Sequence, residues 1–295
     1  MKKVIAIVGP TAIGKTKISI ELAKRFNLSI ISADSVAVYK TLDIGSAKPT
    51  KSEMGNVKHY LINIKEPSEQ YDVEEFQTKA REIIESNNPI IISGGTGLYV
   101  QSVLFDYTFE ASKRDDNFED KFKHLSNEEL YDLLISKDPS VKTRIHQNNR
   151  KRVLRALEIL SDTNKSISEF DGKRKAYYDS YIIYLNVSNR ELLYDRINKR
   201  VDKMIEDGLV EEVRNLYQNK IYPNAIGYKE LYPYFDNEIS LDTAIDNIKQ
   251  NSRHLAKRQM TWFRNQMPTH FYEVDLENIN NTIDKIESDL KEFLK

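Results

Sequence analysis

The stretch VIAIVGPTAIGKTKISIELAKRF (residues 4–26) decides the fold, because it joins an apolar run to a glycine-containing turn and then to an amphipathic segment. The β-branched run over residues 4–8 predicts a buried strand. The apolar spacing of Ile18, Leu22 and Ala23 predicts a helix over residues 16–26. Between the two, GPTAIGKT (residues 9–16) fits the pattern G-x-x-x-x-G-K-[ST] in the strand–loop–helix context that the pattern requires. We therefore predict a loop that binds a di- or triphosphate.

The chemistry of this loop follows from its backbone. Glycines let the chain approach phosphate oxygens, and backbone N–H groups together with the helix N-terminus supply fixed positive potential. Lys15 is expected to reach the terminal phosphates, and the hydroxyl of Thr16 is expected to coordinate Mg²⁺. The predicted binding loop comprises Gly9, Pro10, Thr11, Ala12, Ile13, Gly14, Lys15 and Thr16.

The loop alone does not identify the substrate, because kinases, NTPases and other phosphate-handling proteins share it. In the sequence, no apolar run clearly ends in the carboxylate of a second, Mg²⁺-holding NTPase motif, and no Asn-Lys-x-Asp guanine motif occurs. Both absences argue against a motor ATPase or a GTPase.

Further apolar runs at residues 28–33, 89–93 and 181–187 predict strands that alternate with helices. This pattern is typical of an α/β fold with a mainly parallel sheet and helices on both faces. Ligands of such sheets bind at the carboxyl ends of the strands, where Gly9, Asp34 and Gly94 lie. The strand-poor, charged segment 111–179 predicts a helical insertion domain, which leaves 1–110 plus 180–295 as the core. Helices are predicted at 190–218, as one or two, and at 241–265 and 276–295.

Composition excludes some classes of protein. The 295 residues contain no cysteine, which excludes disulfides and cysteine metal sites and is typical of a cytoplasmic protein. No run of ~18 apolar residues occurs, so no membrane-spanning helix is expected. The net charge of −1 is not that of a basic nucleic-acid binder, but basic runs at 142–155, 173–175 and 249–264 allow a local nucleic-acid face. Solvated helix faces explain such runs equally well.

Two strand ends carry polar groups. Asp34 follows the run LSIISA, and its carboxylate suits a general base or an outer-shell Mg²⁺ ligand as well as a capping group. The turn GGTGLY (residues 94–99) allows close backbone approach and offers the hydroxyl of Thr96, although a plain strand-to-helix turn has the same composition.

Eight segments, taken in order, resemble one family. They are GPTAIGKT (9–16), ADSVAVYKTLDIGSAKPT (33–50), HYLINIKEPSEQYDVEEF (59–76), GGTGLY (94–99), RKRVLRALEI (150–159), RVDKMIEDGLVEEV (200–213), AIGYKEL (225–231) and RHLAKRQMTWFR (253–264). The set resembles the bacterial tRNA dimethylallyltransferases, also called tRNA isopentenyltransferases, and spans nearly the whole chain. LDIGSAKP and AKRQMTWFR are its most specific parts.

The resemblance implies a P-loop NTPase-like core with a helical insertion, and a reaction that requires Mg²⁺. A dimethylallyl group passes from dimethylallyl diphosphate to the N6 amine of the adenosine next to the anticodon on its 3′ side, in tRNAs that read codons starting with U. Asp34 then matches the catalytic base, Thr96 hydrogen-bonds near the reacting groups, and Lys15 stabilises the departing diphosphate. The target base leaves the anticodon stack to react.

The resemblance also assigns contacts with the tRNA anticodon stem-loop. Tyr228 and Trp262 lie beside basic residues and offer rings for stacking, although Trp262 is better explained as core. Ala37 replaces the usual family glutamine, which puts one base contact in doubt, and Asn63 replaces a common aspartate. The implied tRNA-binding residues are Asp34, Ser35, Val36, Ala37, Thr96, Lys151, Arg152, Val153, Leu154, Arg155, Arg253 and Lys257.

Two other interpretations remain open. A P-loop nucleotide or small-molecule kinase explains the phosphate loop and a lid-like insertion, and a non-catalytic RNA-binding protein explains the basic helices. ATP binding by the loop is compatible with each of them. The charged terminal helix favours a monomer, and the lack of a long apolar run predicts no membrane partner.

Overall fold

The computed structural model describes residues 1–107, 109, 115, 117–167 and 175–295. They form two compact units, Met1–Asp106 with Ala176–Lys295, and Tyr107–Lys175. The chain returns to the larger unit at Ala176, four residues before the predicted return at 180, and then enters β5.

A six-stranded parallel sheet forms the centre of the larger unit, in the order β3-β2-β4-β1-β5-β6. The α/β prediction is confirmed. The strands are β1 (Lys3–Val8), β2 (Ile30–Ser32), β3 (His59–Tyr60), β4 (Ile90–Gly94), β5 (Asp179–Asn186) and β6 (His270–Glu273).

Helices supply the rest of the regular structure. In chain order they are α1 (Lys15–Phe26), α2 (Lys51–Met54), α3 (Val73–Ser86), α4 (Gly97–Leu104), α5 (Asn127–Lys137), α6 (Arg150–Thr163), α7 (Arg190–Glu206), α8 (Leu209–Gln218), α9 (Tyr232–Phe235), α10 (Leu241–Gln266) and α11 (Ile279–Phe293). Short 3₁₀ turns occupy Phe118–Phe122, Pro139–Thr143 and Lys229–Leu231. In the described part of the chain, no helix combines the length and apolarity needed to cross a membrane.

Alternation along β1 separates two core layers, because successive side chains of a strand point to opposite faces of the sheet. Ile5 and Ile7 pack with residues of α1, α7 and α11. Val4, Ala6 and Val8 pack on the other face with residues of α3, α4 and α10. Burial on both faces explains why β1 is apolar at every position from residue 4 to 8.

The segment 190–218 forms two helices rather than one. α7 ends at Glu206, and Gly208, the N-cap of α8, has φ 101°, a left-handed conformation that interrupts the helical path. A third apolar cluster then forms between α7, α8 and α10, around Val201, Leu209 and Ile248. This cluster forms one side of the cavity described below.

Candidate functional site

The strand ends bring three predicted segments to one edge of the sheet. Val8 is in register with Gly94, and Ser32 is in register with Ser93. The phosphate loop, the GGTG turn and the segment that begins at Asp34 therefore leave adjacent strands side by side. The first helical residue after the loop is Lys15, so the N-terminal amides of α1 face the same space.

Lys15 lies folded over its own loop. Its Nζ donates to the carbonyl oxygens of Gly9 at 3.0 Å and Pro10 at 2.8 Å. The pKa of Lys15 is lowered to about 7, mainly by burial and then by the charge of Arg200, whereas Asp34 opposes the shift. The loop is therefore strongly electropositive whenever Lys15 is protonated, and it suits an anionic ligand.

Arg200 on α7 adds a second cation, which the sequence analysis missed. Its Nη1 donates to Oγ1 of Thr11 at 3.0 Å. Arg196, one turn earlier, donates from Nε to the carbonyl of Ala12 at 3.1 Å. Burial lowers the pKa of Arg200 from its ordinary value, and Asp34 opposes this shift. The four-residue spacing places both arginines on one helix face, and this was the available signal for their shared role.

The carboxylate of Asp34 is held from one side. Its Oδ1 accepts from the backbone N–H of Val36 at 2.8 Å and of Ala37 at 3.1 Å. Within the described residues, Oδ2 has no hydrogen-bond partner, and Asp34 lines the cavity that also contains Lys15. One oxygen thus fixes the turn, and the other is left without a hydrogen bond from any described group, in a residue that lines the cavity, as a proton acceptor requires.

Thr96 stands slightly apart from this group. Its backbone N–H donates to the carbonyl of Ala33 at 3.2 Å, and its hydroxyl makes no capping bond to α4. Gly95, not Thr96, lines the cavity. Trp262 packs over the same turn: a Cβ at Gly97 would lie 2.1 Å from its indole ring. Trp262 is partly buried against the core, as expected.

Gln259 on α10 links the two glycine-containing segments. Its Oε1 accepts from the N–H of Thr11 at 2.8 Å, and its Nε2 donates to the carbonyl of Gly95 at 3.1 Å. Gln259 lies within the segment RHLAKRQMTWFR (residues 253–264), in which no local pattern indicates its role. Its side chain fixes the distance between the phosphate loop and the GGTG turn.

Two cavities meet at the loop and share Lys15, Thr16 and Arg200. The first, of about 610 Å³, has a polar end at Asp34, Ser35 and the loop, and an apolar wall of Ile197, Val201, Met204, Ile226, Ile248 and Leu255. The second, of about 660 Å³, is basic, with Lys17, Lys24, Arg196 and Lys199 facing Glu21 and Glu53. The loop can therefore hold an anion while the first cavity holds an apolar group.

A metal at this site would depend on few protein ligands. No cluster of three or more His, Cys, Asp or Glu side chains suited to a metal occurs among the residues that the structure describes. Mg²⁺ usually keeps several waters and takes phosphate oxygens with one or two protein ligands. The position of Thr16 in both cavities fits that arrangement.

The predicted tRNA-binding residues differ in exposure. Lys151, Arg152 and Lys257 are exposed, Arg155 pairs with Glu158 at 2.6 Å, and Arg253 donates to Oδ1 of Asn198 at 2.7 Å. The run at 173–175 lies outside the described residues except for Lys175.

Burial corrects the predictions for four residues. Val153 and Leu154 are 0% and 7% exposed, because they lie on the inward face of α6 and form the core of the smaller unit. Ala37, at 4%, is also covered, and Tyr228, at 0%, is a core residue rather than a stacking platform. None of these side chains is available to an RNA.

Comparison with known proteins gives a consistent result. The family model described as IPP transferase matches residues 37–266. The chain is 49% identical to the tRNA dimethylallyltransferase of Anoxybacillus flavithermus over 92% of this chain and 91% of the relative. It is 45% identical to that of Enterococcus faecalis over 100% of this chain and 98% of the relative.

Solved structures agree with the sequence relatives. The tRNA isopentenylpyrophosphate transferase of Bacillus halodurans has a TM-score of 0.75 at 40% identity, over 100% of this chain and 97% of that one. A eukaryotic dimethylallyltransferase acting on tRNA has a TM-score of 0.82 at 30% identity, over 97% of this chain and 77% of that one.

Proposed function

Since the chain belongs to the IPP transferase family, an enzyme family that prenylates tRNA, we propose that it moves a dimethylallyl group from dimethylallyl diphosphate to tRNA. The acceptor is the N6 amine of the adenosine next to the anticodon on its 3′ side, in tRNAs reading codons that start with U. One observation supports the proposal above all. The cationic phosphate loop and Asp34, whose carboxylate is hydrogen-bonded through Oδ1, line one cavity that also has an apolar wall.

The loop stabilises the leaving group. As the allylic C–O bond breaks, negative charge grows on the diphosphate, and preorganised cations and amides at that position lower the barrier. Lys15 and Arg200 supply the cations, and α1 supplies its N-terminal amides. The hydroxyl of Thr16 would hold Mg²⁺, which would supply further neutralisation of the same charge. A bound diphosphate also favours the protonated form of Lys15.

Asp34 serves the acceptor. The N6 amine becomes acidic as its new bond to the allylic carbon forms, so it needs a base within hydrogen-bond reach at that moment. Oδ2 of Asp34 takes this proton while Oδ1 stays bound to two backbone amides. The C–O bond breaks, the N–C bond forms, diphosphate leaves, and the proton remains on Asp34 until solvent removes it.

Basic side chains in both units are proposed to hold the RNA. Lys151, Arg152 and Arg155 lie on α6, and Arg253 and Lys257 lie on α10. Ser35 and Val36, beside Asp34, line the cavity and suit contacts with the target nucleotide. Thr96 does not line this cavity, and it stays in the proposal through its hydroxyl, which makes no capping bond to α4. RNA loops are bound by such backbone charge pairing together with base-edge contacts. We also propose that the protein acts as a monomer in the cytoplasm.

The direct test supplies labelled dimethylallyl diphosphate and unmodified tRNA, and scores label in adenosine after digestion. We expect Mg²⁺-dependent label at one adenosine, and none in a tRNA with guanosine at that position. Lys15→Ala should lose transfer activity. Its affinity for tRNA should fall less than its transfer activity. Phosphoryl transfer from ATP that proceeds without tRNA would refute the proposal and support the kinase alternative, which the relatives do not favour.

A further inference from the structure

Glu212 on α8 holds a turn of the LDIGSAKP segment with its carboxylate. Its Oε2 accepts from the N–H groups of Asp43 at 3.0 Å and Ile44 at 2.8 Å, and its Oε1 accepts from the N–H of Gly45 at 3.1 Å. Three successive amides therefore point at one side chain that lies 167 to 169 residues away in sequence. Charge-assisted bonds of this kind are stronger than neutral ones.

Tyr228 completes the arrangement. Its hydroxyl donates to Oε1 of Glu212 at 2.7 Å, and its ring is fully buried. A Cβ at Gly45 would lie 2.5 Å from this ring, so the turn packs against Tyr228 only because residue 45 is glycine. Burial, together with the nearby charge of Glu212, raises the pKa of Tyr228 and keeps it a neutral donor.

The held turn forms part of the cavity wall. Gly45, Ser46 and Ala47 line the first cavity, together with Asp34. Among the described residues that line it, Glu212 is absent, so it acts through the turn and not by contact with a ligand. The neighbouring segment 222–227 also lines the cavity and leads directly into Tyr228. Glu212 thus connects the turn at residues 43–45 with Tyr228, which follows segment 222–227, without lining the cavity itself.

Other groups hold the diphosphate end of the cavity. The phosphate loop is fixed by Arg200 at Thr11 and by Gln259, with no bond to Glu212 among the described residues. The wall held by Glu212 instead continues from the Asp34 turn, where the proposed function places the acceptor amine. A substitution at Glu212 is therefore expected to affect binding of the acceptor tRNA more than binding of the donor, dimethylallyl diphosphate.

Resting on that proposed function, we propose that Glu212 is a positioning residue for the acceptor nucleotide. Its carboxylate fixes the turn at residues 43–45 against Tyr228 and so shapes the cavity wall beside Asp34. A glutamine cannot replace it, because one of the two carboxylate oxygens would become an NH₂ group, which donates and does not accept. In either orientation that group would face a backbone N–H of the turn at residues 43–45.

The test compares Glu212→Gln with Glu211→Gln, an exposed neighbour on the same helix whose partner is Arg214. We expect Glu212→Gln to raise KM for tRNA about ten-fold or more, as for one lost charge-assisted hydrogen bond. KM for dimethylallyl diphosphate should stay unchanged, and Glu211→Gln should behave as wild type. Tyr228→Phe keeps the ring, removes one donor, and should shift KM for tRNA in the same direction by less.

The outcomes are separable. A wild-type protein that does not prenylate tRNA overturns the proposed function itself. An active wild type, with KM for tRNA unchanged in Tyr228→Phe and in Glu212→Gln, overturns the positioning role. Equal rises in both KM values overturn it as well, because they indicate general loosening of the fold. If Glu212→Gln does not fold, Tyr228→Phe alone decides by the same criterion.

Discussion

At the scale of single residues, Lys15 offers a pH-dependent measurement. Its pKa is lowered to about 7, and a bound anion raises it, so diphosphate binding takes up a proton above pH 7. The affinity for inorganic diphosphate is therefore highest below pH 7. It falls as pH rises above 7, and the loss approaches about ten-fold for each pH unit. Calorimetry from pH 6 to 9 measures this loss. Lys15→Arg, charged throughout, corrects for titration of the ligand, and parallel profiles for the two proteins would refute the assignment.

Asp34 can be tested with an isosteric change. Asp34→Asn keeps an oxygen that can accept from Val36 and Ala37, so the turn is preserved, but it removes the proton acceptor. We expect the transfer rate to fall about 10²–10⁴-fold, the usual worth of a general base. Affinity for tRNA, measured by filter binding, should stay near that of wild type. Retained single-turnover activity would assign the proton to another group.

At the scale of elements, α10 stabilises the site through Gln259. Gln259→Ala removes bonds to both Thr11 and Gly95, and leaves a partly buried N–H and carbonyl without their partners. We expect the free energy of unfolding to fall by about 1–3 kcal/mol in urea titrations, with weaker diphosphate binding. Gln250→Ala, at an exposed position of the same helix, is the matched control. Equal stability of the two variants would contradict the role of Gln259.

The elements also show what the sequence could reveal. The phosphate loop and Asp34 are local signals, because each follows directly from an apolar strand. Strands β3 and β6 were missed, since HY and HFYE are too short and too polar to show strand periodicity. Arg200, Glu212 and Gln259 act on segments more than 160 residues away in sequence. Such contacts depend on how helices pack, so a local pattern such as the spacing of Arg196 and Arg200 does not identify the segment that the side chain binds.

At the scale of the whole molecule, each of the two units offers an exposed lysine for the RNA. Lys151 lies on α6 of the smaller unit, and Lys257 lies on α10 of the larger one. If both contact one tRNA, Lys151→Ala and Lys257→Ala should each weaken binding and each reduce the slope of log affinity against log salt by roughly one. The double variant should show the sum of both losses, because independent contacts are additive.

The controls for this prediction are exposed lysines outside the proposed RNA-binding residues. Lys137→Ala in the smaller unit and Lys291→Ala in the larger unit change the net charge equally. Titrations of fluorescent anticodon stem-loop at several salt concentrations measure affinity and slope together. Losses equal to those of the controls would show that only net charge matters. A loss for Lys257→Ala alone would restrict RNA binding to the larger unit and leave the smaller unit without the role that its basic helix α6 indicates.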